Sequence, residues 1–207
     1  KRGRHHDLFK TLDELGMMRI YGPKVFQGVR PWDGYKSYEG EIPFDGGVSM
    51  VKAINNCGIS LVLSSDSHRV AEAATNRLYE SLAAGAVIIS DDNEFVKREF
   101  GDSVLYIEYS REYEFMKDQI LGHLKWINDN KQVALQKAKV AQQIFTKKFC
   151  LRKQMDILCA KFPERRDQVY AKCHSLERGK VIDVVLLYDK PDFSIKEVRI
   201  LYSNVNK

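Results

Sequence analysis

Apolar and polar positions follow two rhythms that alternate along most of the chain. Residues 8–15 carry a helical pattern that stops near Gly16, and Ile20-Tyr-Gly then reads as the end of a strand. Residues 48–56 read as a helix, 59–63 as a buried strand, 76–84 as a helix, 87–89 as a strand, 93–100 as a helix and 104–107 as a strand. From 112 to 149 the pattern is helical throughout, in two long segments that meet near Asn128-Asp-Asn130. Short apolar strands alternating with helices predict an α/β fold whose sheet is parallel and flanked by helices on both faces. Ligands of such folds bind outside the carboxyl ends of the strands.

The densest local signal lies between Glu72 and Ser90. Thr75 is placed to cap a helix, Leu78, Leu82 and Ala83 recur at helical spacing, Gly85 supplies a stop, and 86–89 form the apolar run of a parallel strand. A helix start of this kind favours anions, because its first N–H groups are unpaired and its dipole is positive there. Arg77 adds a charge within the first turn. Glu72 and Glu80, if one helix held both, would sit roughly 80° apart. The expectation is therefore two elements, with Glu72 in a loop and Glu80 on the helix. Residues 23–47 mix proline and glycine in clusters and read as an irregular loop around a short element at 38–42.

These residues carry a resemblance. Glu72 and Glu80, the Ala83-Ala-Gly85 turn and the strand behind it resemble the donor-binding segment of GT-B glycosyltransferases. Tyr21-Gly-Pro23, the run 59–65, Asp91-Asp-Asn-Glu-Phe95 and Phe100-Gly-Asp102 extend the likeness to CgeB-like and group 1 type glycosyltransferase domains, over about residues 1 to 150. Thr75-Asn-Arg77 also resembles the Thr-Glu-Lys segment of fucosyltransferases, with the basic residue kept in kind and the acid replaced.

The resemblance implies a Rossmann-like donor-binding half and transfer of a sugar from a nucleotide diphosphate-sugar to a glycan or glycolipid hydroxyl. It implies Glu72 and Arg77 as catalytic groups, Glu72 near the transferred sugar. Arg4, His68, Thr75, Asn76 and Glu80 would be donor contacts, Glu80 on the ribose, with Glu39, Gly40, Ile42 and Pro43 near the base. It further implies metal-independent chemistry with no cofactor besides the nucleotide-sugar, and a second domain of the same polypeptide to complete the cleft and supply any acceptor-activating base. His68 is expected in a loop after a buried strand, facing the ligand. Adjacent His5 and His6 would not face one way on a helix start, which argues against a metal pair. Trp32 and Tyr35 are candidates to shape a mobile loop. The other reading of the same residues is a non-catalytic nucleotide-binding or scaffolding module of a polysaccharide-assembly protein.

Composition narrows this only a little. At 207 residues with 44% hydrophobic and 29% charged, one substantial core is expected. The absence of an 18-residue apolar run and of a secretory pattern places the chain, as an expectation, in the cytoplasm, with peripheral membrane contact left open. A net charge of +5 suits a diphosphate donor, and no nucleic-acid motif accompanies it. Cys57, Cys150, Cys159 and Cys173 lack zinc or C-x-x-C spacing and read as reduced structural thiols. A strand is expected ahead of the Gly3-Arg4 turn. The division is set at 1–161 and 162–207, with Phe162-Pro163 breaking the helical run, a charged helix at 164–176, and strands at 181–188 and 198–202. That tail reads either as a crossover to a partner domain or as the opening of a further α/β module.

Overall fold

Val87, Ile88 and Ile89 are consecutive and all buried, which a strand tolerates only when helices cover both its faces. The computed structural model describes residues 5–174, and in chain order its elements are α1 (His6–Glu14), β1 (Ile20–Tyr21), β2 (Tyr38–Gly40), α2 (Val48–Cys57), β3 (Ile59–Val62), α3 (Asp66–Val70), α4 (Asn76–Ala84), β4 (Val87–Asp91), α5 (Glu94–Phe100), β5 (Leu105–Ile107), α6 (Tyr113–Asp129), α7 (Lys131–Lys148) and α8 (Leu151–His174). Two compact units divide the chain, Lys1–Cys159 and Ala160–Lys207. The first holds all the described strands. Of the second, the described part is helical as far as His174.

Strands β3, β4 and β5 form a parallel sheet in that order, with Ile59 opposite Val87 and Ile89 opposite Leu105. One face of β4 places Val87 and Ile89 against Leu8 and Leu12 of α1 and Met116, Ile120 and Ile127 of α6. The other places Ile88 against Leu78 and Leu82 of α4, Val96 and Phe100 of α5, and Ala141 of α7. This is the expected parallel α/β architecture with helices on both faces. Strands β1 and β2 pair in parallel in a separate two-stranded sheet, so the parallel strands are split into two groups.

Helix α4 starts and stops as expected. The Thr75 hydroxyl accepts from the Leu78 amide at 3.4 Å, and Gly85 closes the helix at a φ of 68°. Its buried face differs from the expectation. Leu78, Ser81, Leu82 and Ala84 are buried, whereas Ala83 is exposed. A serine can sit inside because its hydroxyl is satisfied twice, by the Arg77 carbonyl at 2.7 Å and by the Ser60 hydroxyl at 2.6 Å.

Other expectations are corrected. Helix α8 continues through Pro163 instead of breaking at Phe162-Pro163. Proline there removes one rung of the ladder, while a helix of 24 residues keeps the others. Residues 66–70, expected as loop, form the short helix α3 capped by Ser65. Trp32 and Tyr35 are packed rather than loose: the Tyr35 hydroxyl meets His6 Nδ1 at 3.1 Å, and Trp32 lies edge-on to Tyr35 and against Gly22. The expected strands at 181–188 and 198–202 lie outside the described residues, as does the end of the expected helix at 164–176. Cys57, Cys150 and Cys159 are free thiols.

Asp13, at the end of α1, anchors the chain entering β2. Its carboxylate accepts from the Lys36 amide at 3.0 Å, the Ser37 amide at 2.7 Å and the Ser37 hydroxyl at 2.5 Å. Burial opposes its ionisation, but Ser37, the two amides and Lys10 outweigh burial and hold the carboxyl below its ordinary value of 3.8.

Two stability outcomes follow. Leu82→Ala should cost about 2–5 kcal/mol in urea unfolding, and Ala83→Ser at the exposed neighbouring position less than about 0.5 kcal/mol. Because the folded carboxyl titrates below its unfolded value, Asp13 contributes its full stabilisation above the unfolded pKa and loses it as pH falls through the folded one. Asp13→Asn should therefore destabilise the protein at pH 7 by about 1.5–3 kcal/mol, and the deficit relative to wild type should shrink below pH 4 in acid titrations of unfolding.

Candidate functional site

At the carboxyl ends of β3, β4 and β5 the loops are tied together by one buried carboxylate. Asp91, the last residue of β4, is 0% exposed. It accepts from the Ser64 amide at 2.7 Å, the Ser64 hydroxyl at 2.9 Å and Arg69 Nη1 at 3.0 Å. Arg69 also donates to the Ser64 carbonyl at 3.1 Å and to Asp66, and its guanidinium stacks 3.4 Å from the centre of the Tyr109 ring beyond β5. Burial lowers the Arg69 pKa, but the Asp66 hydrogen bond, Tyr109 and Asp91 together hold it above its ordinary value. Arg69 is a fixed, fully ionised cation with two carboxylate partners.

Asn93 extends this network to the next segment. Its amide donates to the Ser64 hydroxyl at 3.2 Å and to the Ala73 carbonyl at 3.1 Å, while its oxygen caps α5 through the amides of Phe95 and Val96. The loop between α3 and α4 is thereby pinned at Ala73. Glu72 lies in it with a φ of 46°, in the left-handed region that L-residues adopt at a cost. The Glu72 amide bonds to the Arg69 carbonyl at 3.1 Å and the Ala73 amide to the His68 carbonyl at 2.9 Å, a turn that ends a helix and ordinarily places glycine at this position.

The expected site residues fall into three groups. Arg77 and Glu80 come together on the exposed side of α4, with Arg77 Nη1 at 2.8 Å from the Glu80 carboxylate and 2.9 Å from Met50 Sδ of α2. Thr75 and Asn76 form the start of the same helix, where the cap takes the Leu78 amide and no backbone acceptor among the described residues takes the Asn76 or Arg77 amide. Glu72 pairs instead with Arg98 of α5 at 3.3 Å, and no described contact joins it to Arg77 or Glu80. The two glutamates thus sit on different elements, loop and helix.

The remaining candidates scatter. His68 lies on α3 rather than in a loop, its Nδ1 turned to the Ser65 hydroxyl at 2.5 Å, because Ser65 caps that helix. Glu39 and Gly40 belong to β2, Glu39 lying 4.0 Å from Arg19, and Ile42 and Pro43 follow in the loop that leads to α2. Arg4 lies outside the described residues. Among the described residues no group of three His, Cys, Asp or Glu side chains is arranged to hold a metal.

Asp91, Arg69, Ser64, Asn93 and Tyr109 were not among the expected site residues. A signal for the first was present, since an ionisable residue that ends a strand buried on both faces requires a partner. Nothing in the sequence named that partner.

The family model described as Glycosyl transferase-like matches residues 4–160, a span that takes in both sheets and every candidate residue above. No curated protein and no solved structure matches the chain. Among the described residues no helix is long and apolar enough to cross a membrane. The parallel α/β core and the family match agree, and the chain belongs to the glycosyl transferase-like family, whose chemistry is glycosyl transfer between a sugar donor and an acceptor.

Proposed function

We propose that this chain is the donor-binding half of a GT-B glycosyltransferase that transfers a sugar from a nucleotide diphosphate-sugar to a glycan or glycolipid hydroxyl. The observation that carries the reading is the start of α4, where amides of Asn76 and Arg77 that find no backbone acceptor among the described residues coincide with the Arg77 guanidinium at the carboxyl end of β3. The leaving diphosphate gains charge as the glycosidic bond breaks. Amides and a guanidinium close to that position would stabilise the transition state more than the ground state.

Arg77 suits this task better than Arg69. The contacts found for Arg77 all use Nη1, one to an exposed carboxylate and one to a weak sulfur acceptor. A phosphate that replaces Met50 gains a charge-assisted hydrogen bond, and Glu80 still orients the guanidinium. In this reading Glu80 also meets the ribose hydroxyls, and Glu72 lies nearer the transferred sugar. The loop of 41–47, which leads into α2 next to α4, would meet the base through Ile42 and Pro43, with Glu39 and Gly40 behind them. No metal and no cofactor besides the nucleotide-sugar enters this scheme.

The strained backbone of Glu72 sharpens its part. A non-glycine residue in the left-handed region costs about 1–2 kcal/mol, so Glu72→Gly should raise stability by about 1 kcal/mol. If the carboxylate acts on the sugar, the same variant should lose most turnover while binding free nucleotide normally.

Calorimetry with UDP and GDP tests the site. Arg77→Ala should weaken binding of whichever diphosphate the protein prefers by about 1.5–3 kcal/mol, and Glu80→Gln should weaken it less. Equal affinities in wild type and Arg77→Ala would overturn the assignment. Loss of free-nucleotide binding in Glu72→Gln but not in Glu80→Gln would reverse the roles of the two acids.

A further inference from the structure

Helix α8 carries an apolar stripe that is bare to solvent. Its residues 151–169 are exposed throughout, and among the described residues none of them belongs to a buried cluster. At about 100° per residue, Leu151, Met155, Leu158, Phe162 and Val169 fall within a sector of about 60°, a stripe about 27 Å long. Of the exposed large apolar side chains of this helix, only Ile157 lies elsewhere. Charge is sorted about the same line. Arg165 and Arg166 lie about 50° to either side of the centre of the stripe, and Lys161 and Arg152 about 90° to either side. The acids Asp156, Glu164 and Asp167 lie about 130–150° away, on the opposite face, with Lys153.

We infer that this face of α8 docks on an anionic lipid surface, with the stripe at the acyl boundary and the flanking guanidinium and ammonium groups on lipid phosphates. An apolar face with basic margins and an acidic back is what a helix lying in the interface plane requires. Leu158 and Phe162 enter the acyl boundary, while the stems of the flanking arginines and lysine run along the apolar layer and carry their charge to the headgroups. Carboxylates on the far face stay in water, away from the negative surface potential. No described helix is long and apolar enough to cross a bilayer, so α8 lies on the surface. Arg166 is held only by an ion pair to Asp167 at 3.0 Å, more than half exposed on both sides, which yields to a phosphate at small cost.

The same residues argue against a helical partner. Leu151, Met155, Leu158 and Phe162 follow the alternating spacing of a helix-pairing seam, and its next core position, before Val169, is Arg165. Between two helices that guanidinium is buried in the seam, where a charge without a partner is costly; at a lipid surface it reaches phosphate. A second copy is opposed further. In a parallel pair Lys161 of one copy faces Arg166 of the other, and in an antiparallel pair the flank of Arg152 and Arg166 faces its own copy, so like charges meet either way. Where the donor reading holds, a chain docked on lipid takes a glycolipid in preference to a free glycan as acceptor, and that step alone rests on the proposed function.

Cosedimentation of the 207-residue chain with vesicles tests the inference, using phosphatidylcholine alone and phosphatidylcholine with about a quarter phosphatidylserine, in about 0.1 M salt. The chain should bind the anionic vesicles at least about tenfold more tightly than the neutral ones. Arg165→Gln with Arg166→Gln should weaken that binding about fivefold per residue, and Leu158→Ser with Phe162→Ser at least about tenfold at unchanged charge. Lys153→Gln, on the far face, should weaken it less than about twofold. All of these positions are exposed, so the urea midpoint of each variant should match that of wild type. Absent binding, or equal binding to the two mixtures, overturns the inference, as does binding that survives either double variant. Self-association without lipid that Leu158→Ser with Phe162→Ser abolishes in sedimentation velocity assigns the stripe to a second copy. Capture of a synthetic helix with a leucine seam and glutamate flanks, without vesicle binding, assigns it to an acidic partner helix. Either result overturns the inference. No nucleotide enters the assay, so its failure and that of the donor site are read separately.

Discussion

A carboxylate with no exposure at the end of a central strand is tolerable only if opposite charge and hydrogen bonds answer it, and Asp91 is answered by Ser64 and Arg69 of one segment. Ser64 and Arg69 come from the segment after β3, and Tyr109, stacked on Arg69, comes from the segment after β5. The ends of three strands are thereby one network. Asn93 carries it on to Ala73, which fixes the loop of Glu72 and the approach to the Thr75 cap. Removing the carboxylate would leave Arg69 with only Asp66 as a carboxylate partner, and breaking a buried pair on one side costs several kcal/mol.

Against this fixed network, the ion pairs at the candidate residues are loose. Arg77 with Glu80 is more than a third exposed and Glu72 with Arg98 more than half, and pairs of that kind contribute about 0–1 kcal/mol. An incoming anion can therefore redirect Arg77 at small cost, whereas Arg69 would have to abandon a buried partner. The two arginines near the strand ends are the same residue type with opposite uses: one holds the loops, and the other has donors to spare.

Much of this was legible in the sequence, for local reasons. The βαβ order followed from runs such as 86–89, because a strand covered on both faces shows no polar alternation. The start and stop of α4 followed from Thr75 and Gly85, whose conformations are set within a few residues. The separation of Glu72 and Glu80 onto loop and helix followed from helical geometry alone. What escaped depends on distant partners. Asp91 and Arg69 are 22 residues apart, and no spacing rule links a strand end to a helix across a loop. The serine-rich run at 64–68 looks like loop because its helix is only five residues long and is held by one cap. Ala83 was read onto the buried face from its spacing with Leu78 and Leu82, whereas Ser81 is buried because the Ser60 hydroxyl and the Arg77 carbonyl satisfy it.

The split between the two groups of strands bears on how a donor would be held. The loop at 41–47 is carried by β2 and leads into α2, whereas Thr75, Asn76 and Arg77 are carried by β3 and α4. Among the described residues these halves meet mainly where α2 lies on α4, through Asn55 donating to the Ala84 carbonyl at 2.8 Å and Arg77 reaching Met50. Two side-chain bonds set a distance less firmly than a continuous ladder of backbone bonds. A nucleotide that spans from base to diphosphate reads that distance directly, and near-attack geometry is lost with displacements of about 1 Å. The seam between α2 and α4 therefore bears on the proposed donor site, because it sets the span between the half proposed to meet the base and the half proposed to meet the phosphates.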